Sequence, residues 1–324
     1  MASRGYVDPN WPPPGGDGNT SVIIYGYTPS FALGVLGCVL FFVAGLAHGW
    51  QLLKYRSWYF STMMIGIGFE IVGYTFRILS ARVNPYKLNY FVIQYFFIVV
   101  APVFFAAAIY TLLSRLISAT SRQYAPLKPK LILWIFITCD VVATIVQILG
   151  AALIGVAASN RKDTTTPNNI LLAGLAFQAA TFFVFIVLFG LFVGRAKQVL
   201  FKTIGKGFYA AFSLAVALFY MRICFRLAET ADGLYGRLNT NEVYFGTLEF
   251  MPVVLATLLL SAWHPGRDAP VKNSEAFEQL FATNIPLLVG TFPCHVLALT
   301  SYIYFDVDYT ISATPRFTIY QHPT

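Results

Sequence analysis

Seven long apolar runs dominate the chain, at about 30–50, 60–80, 89–113, 131–157, 170–193, 207–228 and 243–263. A helix needs ~20 apolar residues to cross ~30 Å of hydrocarbon, and these runs match that length. Polar and turn-forming residues collect between them, as in Lys54-Tyr55-Arg56, Asn84-Pro85-Tyr86-Lys87, Ala125-Pro126-Leu127-Lys128-Pro129-Lys130 and Asn160-Arg161-Lys162-Asp163. Inside a bilayer the backbone has no water to bond, so only helices and closed barrels span it. The runs are too long for barrel strands and lack their alternation. The pattern therefore predicts an all-α polytopic membrane protein, a bundle of seven transmembrane helices over residues 30–266. Residues 1–29 are polar and rich in Pro and Gly, without a signal-peptide pattern, and read as a disordered extracellular tail. Residues 267–324 form a C-terminal tail of uncertain structure. Within it, 285–305 is apolar but holds Pro286, Pro293 and His295. Three readings stay open for it: an eighth membrane segment, an interfacial segment or a gene-model artefact.

Composition agrees. Of 324 residues, 57% are hydrophobic and only 11% charged, with a mean hydropathy of +0.65. Soluble domains carry ~25% charged residues, so a soluble enzyme, a disordered scaffold and a nucleic-acid reader are excluded. The net charge of +8 has another origin. The segments after the first, third and fifth runs hold Lys54, Arg56, Arg115, Arg122, Lys128, Lys130, Arg195, Lys197, Lys202 and Lys206. Those after the second, fourth and sixth hold Arg82, Lys87, Arg161, Lys162 and Arg237. The richer side is expected in the cytoplasm, which puts the N-terminus outside. Trp50, Trp58, Trp134 and Trp263 fall at the cytoplasmic ends, as interfacial anchors should, and the sequon Asn19-Thr20-Ser21 makes Asn19 a candidate glycosylation site on the outer side. The charge thus calls for no nucleic-acid partner.

Ionisable side chains in a membrane cost ~2.5–3.5 kcal/mol each on insertion scales and so tend to have a partner or a function. Here they fall in stripes. Glu70, Gly73, Tyr74 and Arg77 lie at i, i+3, i+4 and i+7, on one face of the second helix. Asp140, Thr144 and Gln147 repeat the pattern in the fourth. Arg222, Arg226 and Glu229 repeat it in the sixth, where Arg226 and Glu229 can pair directly. Gln94, Gln178 and Glu249 add one polar group each to the third, fifth and seventh helices. Facing lipid would be too costly, so the stripes are expected to converge inside the bundle. Two readings are compatible: a polar cavity that binds a substrate, and an ion-pair network that fixes packing. Glu70 and Asp140 are expected near mid-membrane. His48, at the end of the first helix, is expected to be interfacial; of the four histidines only it is expected in the bundle, at its edge. Ala101-Pro102 should kink the third helix.

The chemistry that is missing narrows the class. The four cysteines, Cys38, Cys139, Cys224 and Cys294, form no spaced metal motif. Phosphate-loop and Gly-x-Ser-x-Gly motifs are absent, and the seventh helix has neither a retinal lysine nor an Asn-Pro-x-x-Tyr run. The sequence supports no catalytic residues, no metal and no cofactor.

The stripes carry a resemblance. Glu70-x-x-Gly73-Tyr74-x-x-Arg77, Gln94 with Ala101-Pro102 and Ala108-x-Tyr110, Asp140 with Gln147-x-x-Gly150, Gly174-Leu175-x-x-Gln178 and Arg222-x-x-x-Arg226-x-x-Glu229-x-x-x-Gly233 occur in order, followed by Glu242, Tyr244 and His264-Pro265-Gly266. Over about residues 25–266 the chain resembles the fungal lipid-translocating exporter family, which includes aminocholesterol-resistance and sphingoid long-chain-base-resistance proteins. The resemblance implies seven helices in the plasma membrane and export of amphipathic lipids such as sphingoid bases, with resistance to toxic amphipaths. Glu70, Asp140 and Glu249 are then candidate counter-charges for a cationic amine head group. Arg77, Arg222 and Arg226 would hold these acids ionised or meet a phosphate. With Gln94, Gln147, Gln178 and Glu229 they form the expected substrate-binding set. Rival expectations are a seven-helix lipid sensor and a porphyrin or haem carrier, although no pair of inward-facing histidines is visible for the latter.

Overall fold

The computed structural model describes residues 6–12, 19–20, 22–120, 122–159, 163–233 and 236–268. Within them the apolar runs are helices: α1 (Phe31–Tyr55), α2 (Ser61–Arg82), α3 (Leu88–Thr120), α4 (Pro129–Ser159), α5 (Thr165–Thr203) and α6 (Lys206–Asp232). The seventh span is one rod in three parts, α7 (Glu242–Tyr244), a π-helical stretch (Phe245–Phe250) and α8 (Met251–Ala262). Among the described residues, seven spans are long and apolar enough to cross a membrane, and the chain is an integral membrane protein. The region 285–305 lies outside the described residues.

Each helix packs on the next in sequence, and contacts of α8 with α6 and α1 close the bundle. The helix at its centre is α3, with 94% of its apolar window buried against 28% for α1. The difference is visible in α1, which is apolar on both sides. Leu36, Val39, Val43, Leu46 and Trp50 follow helical spacing on its exposed face, whereas Gly34, Gly37, Phe41, Ala44 and His48 face the bundle. An exposed apolar stripe of this kind suits acyl chains rather than water. Between helices in lipid, packing replaces the hydrophobic drive, so small residues set how close two backbones come. A Cβ on Gly150 would stand 2.5 Å from the backbone nitrogen of Leu171, which is why α4 can lie so near α5. Gly73 does the same for α2 against Ile98 of α3.

The reading of 1–29 as a disordered tail does not hold for its described residues. Ile23 and Tyr25 are buried and pack with Tyr86 and Phe91 at the start of α3. Thr20 N–H donates to the Tyr86 carbonyl at 2.8 Å, Ile23 N–H donates to the Tyr6 carbonyl at 2.8 Å, and Asn19 bridges to Lys87. The backbone N–H of Asp8 donates to the Tyr86 hydroxyl, and its carboxylate accepts from Thr28 and Asn10. What orders this segment is aromatic and aliphatic side chains covering helix ends that would otherwise lose their contacts.

Candidate functional site

All ten expected site residues are buried in the bundle: Glu70, Arg77, Gln94, Asp140, Gln147, Gln178, Arg222, Arg226, Glu229 and Glu249. The periodicity argument that turned the stripes inward therefore describes their placement. The side chains do not form one continuous group. They separate into an ionic layer built from α2, α3, α6 and the seventh span, and a second polar group, without an ion pair, between α3, α4 and α5.

The ionic layer starts at the end of the bundle next to the N-terminal segment. Arg77 Nη2 donates to Glu242 Oε1 at 2.5 Å and to the Tyr27 hydroxyl at 3.0 Å. Its guanidinium lies over the rings of Phe245 (4.2 Å to the centroid), Tyr25 (5.6 Å) and Tyr27 (5.7 Å). Cations favour such ring faces. Glu242 also accepts the Ser30 N–H at 2.8 Å and so satisfies a donor at the start of α1. The Tyr25 hydroxyl bonds Gln94 and, at 3.1 Å, Ser80. Burial pushes the Tyr25 and Tyr27 hydroxyls above the ordinary phenol range, and the Arg77 charge partly offsets it. Glu242 was among the motif positions of the resemblance, whereas Tyr25 and Tyr27 are site neighbours that the sequence reading did not choose. A Tyr-x-Tyr pair within a Pro/Gly-rich segment was their available signal.

Deeper in, Arg222 Nη2 donates to Glu249 Oε1 at 2.5 Å and to the Ile98 carbonyl at 2.9 Å. Two backbone irregularities create this arrangement. Pro102 lies inside α3 and has no N–H for the carbonyl four residues earlier, which is that of Ile98. Arg222 supplies the missing donor. Glu249 sits in the π-helical stretch of the seventh span, a feature that recurs at functional positions and here aims its carboxylate at α6. Glu70 is buried on α2, and Glu249 is the acid that meets the Arg222 guanidinium. One turn further along α6, Arg226 Nη1 pairs with Glu229 Oε2 at 2.6 Å, and its guanidinium stands 4.9 Å from the Tyr95 ring centroid. The i, i+3 pairing read from sequence is present.

The second group is built differently. Asp140 Oδ2 accepts from the Tyr110 hydroxyl at 2.7 Å, while its Oδ1 and the Thr144 hydroxyl one turn on are buried without a partner. Gln147 Nε2 donates to Gln178 Oε1 at 2.9 Å and ties α4 to α5. Among the described residues, no hydrogen bond or ion pair links Asp140 to the ionic layer. The two groups share α3, which contributes Gln94 and Tyr95 to the first and Tyr110 to the second.

The histidine reading needs correction. His48 is buried between helices, and its Nε2 donates to the Thr257 carbonyl at 3.0 Å. His264 is also buried; its Nδ1 accepts the Gly266 N–H at 3.1 Å, and the two rings lie 5.8 Å apart. An inward-facing pair thus exists. Phe60 and Tyr55 pack around it, so it fastens α1 to the end of the seventh span. Asn19, the sequon residue, accepts from the Asn84 amide at 3.0 Å. Among the described residues, no cluster of three or more His, Cys, Asp or Glu has metal-binding geometry.

Comparison with known proteins adds a family. A family model described as "RTA1 like protein" matches residues 63–271. The chain is 29% identical over 287 residues to the sphingoid long-chain base transporter RSB1 of Saccharomyces cerevisiae (strain Lalvin EC1118), covering 76% of this chain and 75% of that one. It is 28% identical over 293 residues to the probable lipid transporter atnI of Emericella nidulans, covering 84% and 73% respectively. Protein RTA1 of Saccharomyces cerevisiae is 25% identical over 273 residues, covering 75% and 84%. No solved structure matches.

Proposed function

The chain belongs to the RTA1 like protein family, and from that premise we propose that it translocates amphipathic lipids, foremost sphingoid long-chain bases, between leaflets or out of the cell. The observation that carries the reading is the buried charge in a bundle whose outer surface is apolar. Arg77, Arg222, Arg226 and the acids that meet them occupy membrane-spanning helices, where charge is too costly to keep without a use. Transporter names among the relatives point the same way. A sphingoid base has a cationic amine head and an acyl-like tail. Its tail would stay in lipid beside the exposed apolar faces while its head passed between helices and exchanged water for protein carboxylates.

In this reading the N-terminus is outside, the protein resides in the plasma membrane, and resistance to toxic amphipaths follows from removing them from the inner leaflet. The Arg77–Glu242–Tyr27 cluster then closes the outer end of the pathway. Opening it requires the N-terminal segment and the seventh span to part.

The test is movement of a fluorescent sphingoid base across liposomes holding the purified protein. The rate should exceed that of empty liposomes, and Glu70→Gln should reduce it. Equal rates with and without protein would overturn the reading. Binding of the base without movement would instead support a lipid sensor.

A further inference from the structure

We propose that Asp140 is an exchange site at which a proton and a protonated amine head group replace one another, so that amine movement is coupled to opposite proton movement. This rests on the translocation reading above and names its coupling ion.

The first observation is position. Asp140 is the twelfth residue of α4, about 16 Å from its start at 1.5 Å per residue, or roughly half of a hydrocarbon core. The second is the lack of a base. Glu242, Glu249 and Glu229 each hold an arginine within ion-pair distance, whereas Glu70 and Asp140 do not; of these two, Asp140 holds the Tyr110 hydroxyl and keeps its other oxygen buried without a partner. The titratable groups facing it are Tyr110 from α3 and Cys139 on its own helix. From α5 come the rings of Phe182 and Phe185, and Gln178 is engaged with Gln147. Arg115, one turn beyond Tyr110 on α3, lies 3.9 Å over the Tyr59 ring instead. Third, the one partner of Asp140 sits in an aromatic cluster: the ring centroids of Phe185, Phe136 and Phe182 lie 4.7, 5.5 and 6.0 Å from that of Tyr110.

Burying an ionised carboxylate here, with one neutral hydrogen bond, is far more costly than binding a proton. In the packed conformation Asp140 therefore carries a proton, and the site is neutral. An ammonium group changes that balance. It brings the missing positive charge, and the ring faces are attractive to it. When it binds, the carboxylate ionises and its proton leaves to water, with one positive charge entering as one departs. Linkage makes the competition mutual, so protons must displace the amine to the same degree. The orphaned Asp140 Oδ1 and Thr144 hydroxyl are ready partners for the ammonium protons.

Two measurements test this. In weakly buffered detergent micelles with a pH-indicator dye, a sphingoid base should release one proton per molecule bound by the wild type. An N-acetylated analogue, which lacks the charge, should release none. Asp140→Asn, which mimics the protonated form and should elute as the wild type does, should lose the release entirely; Asp140→Glu should retain it. In liposomes, acidifying the receiving side should speed movement severalfold through the wild type and leave Asp140→Asn unaffected. Proton release by Asp140→Asn equal to that of wild type, or wild-type movement indifferent to the gradient, would overturn the exchange site while leaving translocation intact. If nothing moves in any gradient, translocation fails, and the micelle measurement alone decides whether Asp140 exchanges a proton for an amine.

Discussion

Glu249 and Asp140 are each 1% exposed, yet their surroundings differ completely. Glu249 meets Arg222 at 2.5 Å, and Arg222 is itself fixed by the carbonyl that Pro102 releases. Asp140 meets one tyrosine hydroxyl, whose ring sits in an aromatic cluster. Equal burial does not mean equal charge. The first acid is compensated and holds helices together, whereas the second remains neutral until a cation arrives. What separates the two acids is therefore whether a protein cation is already at hand.

The comparison can be broken most severely at Arg222. Arg222→Leu would strand the Glu249 carboxylate and leave the Ile98 carbonyl unbonded, at a cost of about 3–5 kcal/mol. Thermal unfolding in detergent should show the loss, and an unchanged midpoint would remove the claim that the ionic layer is structural. Arg226→Leu and Glu229→Leu should each destabilise by a similar amount, about 3–5 kcal/mol, and the double variant should express better than either single one. If all three express equally, the pair has no energetic meaning.

Gly150→Ala sharpens the contrast on the α4–α5 side. Its Cβ would press on the Leu171 backbone, and overpacking of this kind costs about 1–3 kcal/mol. Since the shift separates the helices that frame Asp140, transport should fall together with stability. The smallest effect belongs to Asp140→Asn. Removing a charge that is not present in the packed state should change stability by less than about 1 kcal/mol, within the range of single hydrogen bonds in membrane bundles. A loss as large as that of Arg222→Leu would show that Asp140 is ionised in the packed state and erase the distinction.

Much of this was legible beforehand. Length and composition of the apolar runs were sufficient for seven helices, because lipid leaves the backbone few choices. Helical spacing was enough to turn Glu70, Asp140 and Arg222 inward, since an outward charge is too costly. The Arg226–Glu229 pair followed from spacing within one helix. His48 and His264 were misjudged because their partners, the Thr257 carbonyl and the Gly266 N–H, are backbone groups that no side-chain pattern reveals. The ordered loop at the N-terminus was missed because Pro and Gly content resembles disorder until the shelf formed by Tyr86 and Phe91 is in place.

By itself, then, the sequence determined which segments lie in lipid and which face of each is polar, since both depend on local solvation. Only the tertiary structure decided who meets whom. Arg77 takes Glu242, 165 residues away, Arg222 takes Glu249 across a helix boundary, and Asp140 takes no base. Such pairings depend on the rotation and depth of neighbouring helices, set by contacts as particular as Gly73 against Ile98 and by the carbonyl freed at Pro102.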